Sequence, residues 1–582
     1  MEGLGAGRWT PLPGSGSIKD SKRCGHDVHR SGPFSLVLLG LFLFGGAPLA
    51  ADATSTSNPV VAGDEEGQYL LIHLDGVSSR VFSSELRAGN LENLREYFGD
   101  DGIIEQGVTF YPPFTSVAVM RVREGREITE AEVIDWDAYD RDEGEALGQG
   151  RVMLEYLRTM PRRARSNVLH GTPIFHYLAG PALRNVPDHL DRYHSTEFYW
   201  FSTDTFGHIW GEDELRRELR RFDRAFGRMA GNLPEDLNVI IYADHGMGFG
   251  EVADYDGEVQ DFTLDEFGED VFEYFAYPNL YLHDEEKAEE VARRVARETA
   301  QDFAFYRESE ERVVGYTPDA RLVFEWGLDG LRYEYDGPSD PLAYDGEVAY
   351  AGAYLPRDQW LELTAGRLYP YAPVRIFELF QSEHVGEVVT VLNDPKVKSG
   401  GWVFSGNHHG LTSDNMAVPI LVRGPGLEGL RGRTSVRVED VMAEAPLERI
   451  EKQRPSRDDH QMSVWQATGD GTGELGADAV FSPRYRWRVG GEMGVHRTDQ
   501  AFALFDLTSG YLSRLWVGGG VSHGDRTRAA AFVDYEFKVR RLGMNARLST
   551  AGDPRWDLFV IFRRGISLQL RNLESIGVRM RF

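Results

Sequence analysis

The sequence predicts an α/β domain, a mostly parallel sheet with helices on both faces, followed by an antiparallel all-β barrel of about eight strands. Three observations predict it. Short β-branched and aromatic runs alternate with amphipathic helical stretches between residues 69 and 422. From residue 461 onward the pattern changes to strict alternation of apolar and polar residues. The charge changes at the same place: residues 461–582 carry 17 Lys+Arg against 12 Asp+Glu, in a chain of 582 residues whose formal net charge is −29.

That acidity excludes a nucleic-acid backbone as the main partner, because like charges repel. The single cysteine, Cys24, excludes an internal disulfide. Residues 1–33 are polar, glycine-rich and modestly basic, and an apolar run over 34–44 follows. With Ala51-Asp52-Ala53 as a cleavage site, residues 1–53 read as a secretory signal peptide. Residues 54–67 are a flexible lead-in.

The α/β domain is expected over 68–427. Residues 69–74 form a buried strand that ends on Asp75-Gly76. A helix is expected over 91–98. Two prolines, Pro112-Pro113, fix the turn before the adjacent hydroxyls of Thr115 and Ser116. A strand over 198–202 leads to Asp204 and His208, and residues 213–229 carry apolar positions at helical spacing. The run 238–242 is a further strand, followed by Asp244-His245-Gly246. Residues 250–400 hold a helix near 285–299 and otherwise read only as a substrate-roof insertion. His408-His409-Gly410 and a strand over 417–422 close the domain. Residues 428–460, poor in large apolar side chains, read as a linker or a short surface helix.

Ligands of α/β sheets bind beyond the carboxyl ends of the strands. Asp75, Asp204 with His208, Asp244 with His245, and His409 all fall at such ends. Alone, each is weak, since an Asp after a strand is commonly a helix cap. Together, three Asp and three His are an inventory that can hold two divalent ions. Thr115 and Ser116 offer a nucleophile that such ions activate.

The order Asp-Gly, Pro-Pro-x-Thr, Asp-x-x-x-His-x-x-Gly, Asp-His-Gly-Met, His-Gly resembles the alkaline phosphatase superfamily, most closely its type I phosphodiesterase/nucleotide pyrophosphatase branch. The segment Asn90-Leu91-Glu92-Asn93-Leu94, then Gly107-Val108, and the closing Arg423-Gly424-Pro425-Gly426 share in the resemblance. It implies one metal site of Asp75, Asp244 and His245 with the nucleophile oxygen, and another of Asp204, His208 and His409. His408 is the rival of His409, which alone directly precedes Gly410. The resemblance implies Thr115 as nucleophile, with Ser116 as its rival and as a substrate contact. It implies zinc, with manganese or iron as alternatives, and a two-step transfer in which Thr115 attacks phosphorus and water releases the bound group. The sequence departs from the family at Val117 and Ala118, where Pro and a phosphate-holding Asn are usual; this puts nucleotide substrates in doubt. Arg121 and Arg123 read as solvated charges rather than substitutes for that Asn. A sulfatase is disfavoured because Cys/Ser-x-Pro-x-Arg is absent around Ser116.

In the tail, Ala531, Val533, Tyr535, Phe537 and Val539 alternate with Phe532, Asp534, Glu536 and Lys538, and later runs repeat the pattern. A soluble sandwich would bury the apolar face; a transmembrane barrel would turn it to lipid. With a signal peptide and a terminal Phe582, the barrel of a Gram-negative outer membrane is the preferred expectation, with the enzyme domain in the periplasm. The expected function is hydrolysis of phosphodiester or pyrophosphate bonds. The alternatives are a phosphomonoesterase of the same superfamily and a non-catalytic outer-membrane binding or structural protein.

Overall fold

Six apolar runs assemble the first sheet of the computed structural model, which describes most of residues 67–443 and 461–581. Residues 125–138, 147–170, 345–351 and several shorter stretches lie outside the described residues, as do the signal peptide and the lead-in. Among the described residues no helix is long and apolar enough to cross a membrane. Strand β1 (Tyr69–Leu74), next to one edge strand, is buried along its whole length. It pairs in parallel with β3 (Ser195–Trp200) on one side and β4 (Asn238–Tyr242) on the other. Beyond β4 come β5 (Ala417–Arg423), β2 (Ile103–Val108) and β6 (Ser435–Arg437). Strand β5 runs antiparallel to both neighbours, while β6 is parallel to β2. The sheet is therefore mixed, and the expected parallel order is kept around the strands that carry Asp75 and Asp244.

Helix α1 (Thr115–Glu124) starts on Thr115, and α2 (Ser202–Trp210) holds Asp204 and His208 one turn apart. Helix α3 (Glu212–Ala230) buries Leu215, Leu219, Phe222 and Phe226 as the spacing predicts.

The region 250–400 is a second sheet of eight strands, all paired antiparallel. It is a wall between two cores. Phe303, Phe305, Leu322 and Phe324 face one hydrophobic cluster. Ala304, Tyr306 and Val323 face the other, which also contains β1 and β4. The period of two is present, but both faces are apolar.

The linker expected over 428–460 begins later than predicted. Strand β6 extends the first sheet, and helix α4 (Val438–Ala443) buries Val438 and Val441. On α4, Glu439 pairs with the buried Arg375 at 2.8 Å. The domain thus runs to at least residue 443.

Ten strands, from Gln461–Gly469 to Ser575–Arg581, close into an antiparallel barrel, rather than about eight. Gly- and Ala-rich stretches with weak alternation, such as Thr472–Phe481 and Ser513–His523, account for the higher count. Arg488, Asp534, Asn545, Arg547 and Asp557 are buried inside, while Trp487, Val489, Leu542, Leu548, Leu558, Val560 and Leu568 are exposed outside. Arg547 holds Asp534 at 2.6 Å and lies 4.0 Å over the Phe502 ring. One stretch of the outer face is covered: Leu515, Tyr535 and Phe537 join the core cluster of the α/β domain.

Candidate metal centre

Asp75 directly follows β1 and Asp244 lies two residues beyond β4, so the pairing of those strands brings both carboxylates to one edge. Gly76 has φ +69°, and a Cβ there would lie 3.0 Å from Asp204 Oδ1. Only glycine lets the backbone turn this way while Asp204 approaches and the Gly76 amide donates to Asp244 Oδ1 at 3.2 Å. Thr115, at the start of α1, places Oγ1 2.9 Å from His245 Nε2. That nitrogen also lies 3.4 Å from Asp75 Oδ1 and 3.2 Å from Asp244 Oδ2. The four residues expected for one site converge.

The second group forms on α2 and the loop after Gly406–Asn407. His208 Nε2 lies 3.1 Å from Asp204 Oδ1 and 3.1 Å from His408 Nε2. His408 Nε2 is 3.6 Å from Asp204 Oδ1, and the His408 ring stacks on that of His245 at 3.6 Å. The geometry thus brings His408, and not the expected His409, to Asp204 and His208. His409 Nδ1 is spent on the Leu392 carbonyl at 3.0 Å, and its Nε2 accepts the Lys398 amide at 3.0 Å. It is a structural residue that ties two loops together. Burial, with Lys398 nearby, pushes its imidazole down to about 3, so it stays neutral.

The protonation pattern of the remaining imidazoles follows from their partners. Nδ1 of His245 meets the Gly246 carbonyl, Nδ1 of His208 that of Gly406, and Nδ1 of His408 that of Pro113, at 2.7–2.8 Å. Carbonyls accept only, so each Nδ1 carries a hydrogen and Nε2 is the nitrogen turned to the centre. His208 and His408 thus bring their Nε2 atoms within 3.1 Å of each other, where a bound cation could take both as ligands. Burial, then His245 and His208, holds the His408 imidazole well below its ordinary value.

The carboxylates tell the same story. Asp75 Oδ1, Asp204 Oδ1 and Asp244 Oδ2 are buried without a hydrogen-bond partner. Burial, then Asp244 and Asp204, pushes Asp75 well above the carboxylate range. Against the opposing effect of burial, His245 and His73 hold Asp244 below it. Among the described residues these carboxylates pair only with histidines, not with Lys or Arg. A buried cluster of this kind is costly unless cations balance it. Divalent ions fit this donor set: ligand atoms of Asp204, His245 and His408 lie within 4.8 Å of one another, as do those of His73, Asp75 and Asp244, and zinc, manganese and iron accept such donors.

Ser116 lies beside Thr115 with its Oγ buried and unpartnered. Arg121 is not the solvated charge expected. It is buried over the Phe110 ring at 5.2 Å with no hydrogen-bond partner, and burial, with Arg375 beside it, lowers its pKa to about 9. The sequence reading also passed over His73, Tyr199 and Tyr242, which lie beneath the carboxylates and look like ordinary strand residues in the sequence.

Residues 170–322 match the type I phosphodiesterase / nucleotide pyrophosphatase family. That match spans Asp204, His208, Asp244 and His245 of the ordered motifs. No curated protein sequence matches the chain. Among solved structures, human ectonucleotide pyrophosphatase / phosphodiesterase 5 is similar at 12% identity over 65% of this chain and 93% of its own, with a TM-score of 0.41. The murine protein, in an inactive form in complex with AMP, gives 12%, 67%, 98% and 0.42. Phosphonoacetate hydrolase from Sinorhizobium meliloti 1021 with phosphonoformate gives 13%, 66%, 96% and 0.35.

Proposed function

We propose that the chain is a two-metal hydrolase of phosphodiester or pyrophosphate bonds with Thr115 as nucleophile. The observation that carries this is the convergence of Thr115 Oγ1, His245 Nε2 and two orphaned carboxylate oxygens at one point, beside a second group of Asp204, His208 and His408. Bound divalent cations, zinc by preference and manganese or iron otherwise, would lower the charge on the phosphoryl oxygens and favour the Thr115 alkoxide.

The chain's own residues do the rest. Thr115 Oγ1 forms a bond to phosphorus as the bond to the leaving oxygen breaks. Water then breaks the Thr115–phosphorus bond and returns the hydroxyl. Ser116, at the first turn of α1, offers its backbone amide and its unpartnered Oγ to a nonbridging oxygen. Val117 and Ala118 are fully buried in the core and cannot replace the family's asparagine.

The test is turnover by the purified chain with zinc or manganese, using bis-p-nitrophenyl phosphate against p-nitrophenyl phosphate. Preference for the diester supports the reading. Preference for the monoester makes the protein a phosphatase. Bound metals with no turnover of either would leave a binding protein.

The barrel's inverted burial, charges inside and apolar residues outside, supports a place in the outer membrane of a Gram-negative bacterium with the hydrolase in the periplasm. Residues 461–582 that stay soluble without detergent, and run identically on gels before and after boiling, would count against it.

A further inference from the structure

Three rings lie in one row across the three strands at one end of the first sheet, directly beneath the carboxylates. His73 on β1 is in register with Tyr199 on β3 and with Tyr242 on β4. Paired residues share a face, and Asp75 and Asp244 stand two positions further along β1 and β4. The His73 ring is 4.3 Å from that of Tyr199 and 4.9 Å from that of Tyr242, stacked on the latter within 15°. His73 is 6% exposed and both carboxylates are fully buried, so the platform is dry.

Each polar end of the platform meets one oxygen of one carboxylate. The Tyr199 hydroxyl donates to Asp75 Oδ2. His73 Nε2 lies 3.3 Å from Asp244 Oδ1, the oxygen that the Gly76 amide also holds. The opposite oxygens, Asp75 Oδ1 and Asp244 Oδ2, are left without hydrogen-bond partners, and these are the two that face His245 Nε2. A carboxylate with one oxygen fixed cannot turn its other oxygen away from the ion.

We propose that Tyr199 and His73 are positioning residues of the Asp75–Asp244–His245 site, each holding the outer oxygen of one ligand carboxylate so that the inner oxygen stays aimed at the ion. His73 Nε2 flanks the outer oxygen of Asp244 at 3.3 Å without a hydrogen bond, and a ring nitrogen of His73 also lies within 4.8 Å of a ligand oxygen of Asp75, so the Co2+ spectra separate an outer contact from direct ligation. The inference rests on the two-metal reading but concerns residues outside the ligand set. Outer partners of this kind change metal affinity by about 10–100-fold.

The experiment is chelator-competition titration of the full-length protein with Zn2+, together with absorption spectra of the Co2+-loaded form, for wild type, Tyr199→Phe, His73→Phe and His73→Gln. Both phenylalanine variants keep the rings and the packing, and thermal unfolding of the metal-free chains checks that they fold. The expected result is weaker binding of one ion by about 10–100-fold in Tyr199→Phe and His73→Phe, with the other ion unchanged. His73→Gln restores a donor and recovers affinity, and the Co2+ spectra at saturation match wild type. Wild-type affinity for both ions in the two phenylalanine variants overturns the proposal. So does loss of a nitrogen-ligand band in His73→Phe, which would make His73 a ligand. A wild-type chain that binds no divalent ion overturns the two-metal reading itself, and is distinguished by the failure of the wild type.

Discussion

His408 and His409 leave one extended segment in opposite directions, and only one of them reaches Asp204. The sequence offers both and does not say which. His409 precedes Gly410, as the motif suggests, but Gly410 serves a different contact: a Cβ there would lie 2.8 Å from Asn393 Oδ1. The consequence is sharp. His408→Ala is expected to lose one of two ions and at least about 100-fold in kcat/KM, more than an outer-shell change would cost. His409→Gln is expected to keep both ions and lose about 1 kcal/mol of stability. Metal content by elemental analysis beside a urea titration separates them. Thr115→Ala is expected to lower turnover about 1000-fold or more while the folded chain still binds metal. Asp75 and Asp244 were legible as carboxylates just beyond strand ends, and Asp204 and His208 as an i, i+4 pair, which the structure places on helix α2. His73, Tyr199 and Tyr242 were not, since aromatic rings within a buried strand look like core until the register is known.

At the scale of elements, the loop behind His408 is held by a small buried network. Asp394 Oδ2 accepts Thr412 Oγ1 at 2.7 Å and Asn415 Nδ2 at 2.8 Å, and Asn415 Oδ1 in turn accepts the His409 and Gly410 amides. Burial pushes Asp394 up to about 6 from 3.8. Its proton is therefore held more tightly folded than unfolded, so this group's contribution to stability is greatest below about pH 4 and is lost as pH rises through about 6. Asp394→Asn should remove that slope, a difference of up to about 2–3 kcal/mol between urea midpoints at pH 4 and pH 6.5 relative to wild type. The end of the domain has its own lock. Arg375, nearly fully buried, binds the Val108 and Thr109 carbonyls and both oxygens of Glu439 on α4. Glu439→Ala is expected to cost about 2–3 kcal/mol by leaving that guanidinium underpaired, measured by thermal unfolding. Residues 435–443 escaped the sequence reading because three residues of strand and six of helix carry too little periodicity to register. Part of the second sheet escaped for the opposite reason: around Phe303–Tyr306 and Leu322–Phe324 both faces are apolar, so no polar face marks a strand there.

At the scale of the molecule, the boundary between the two parts was visible as a change of period and of charge; the alternation fitted either a sandwich or a barrel, and the signal peptide and Phe582 favoured the barrel. The count did not follow, because Gly-rich strands bury little and alternate weakly. The barrel interior is filled: Phe502, Leu504, Trp516 and Phe532 cluster together and Asp534 is clasped by Arg488 and Arg547. Asp534→Ala leaves two buried guanidinium groups without their shared carboxylate. It is expected to lower the temperature at which the unboiled protein changes mobility on a gel, while turnover by the hydrolase is unchanged.

Leu515, Tyr535 and Phe537 give part of the barrel's circumference to the neighbouring domain. Cutting the chain at the connection would strip a greasy patch from each piece. A hydrolase fragment ending near residue 443 would then carry an adhesive side of its own, around Ala179–Leu183. Such a fragment would self-associate on size-exclusion chromatography unless detergent or polar substitutions masked that side.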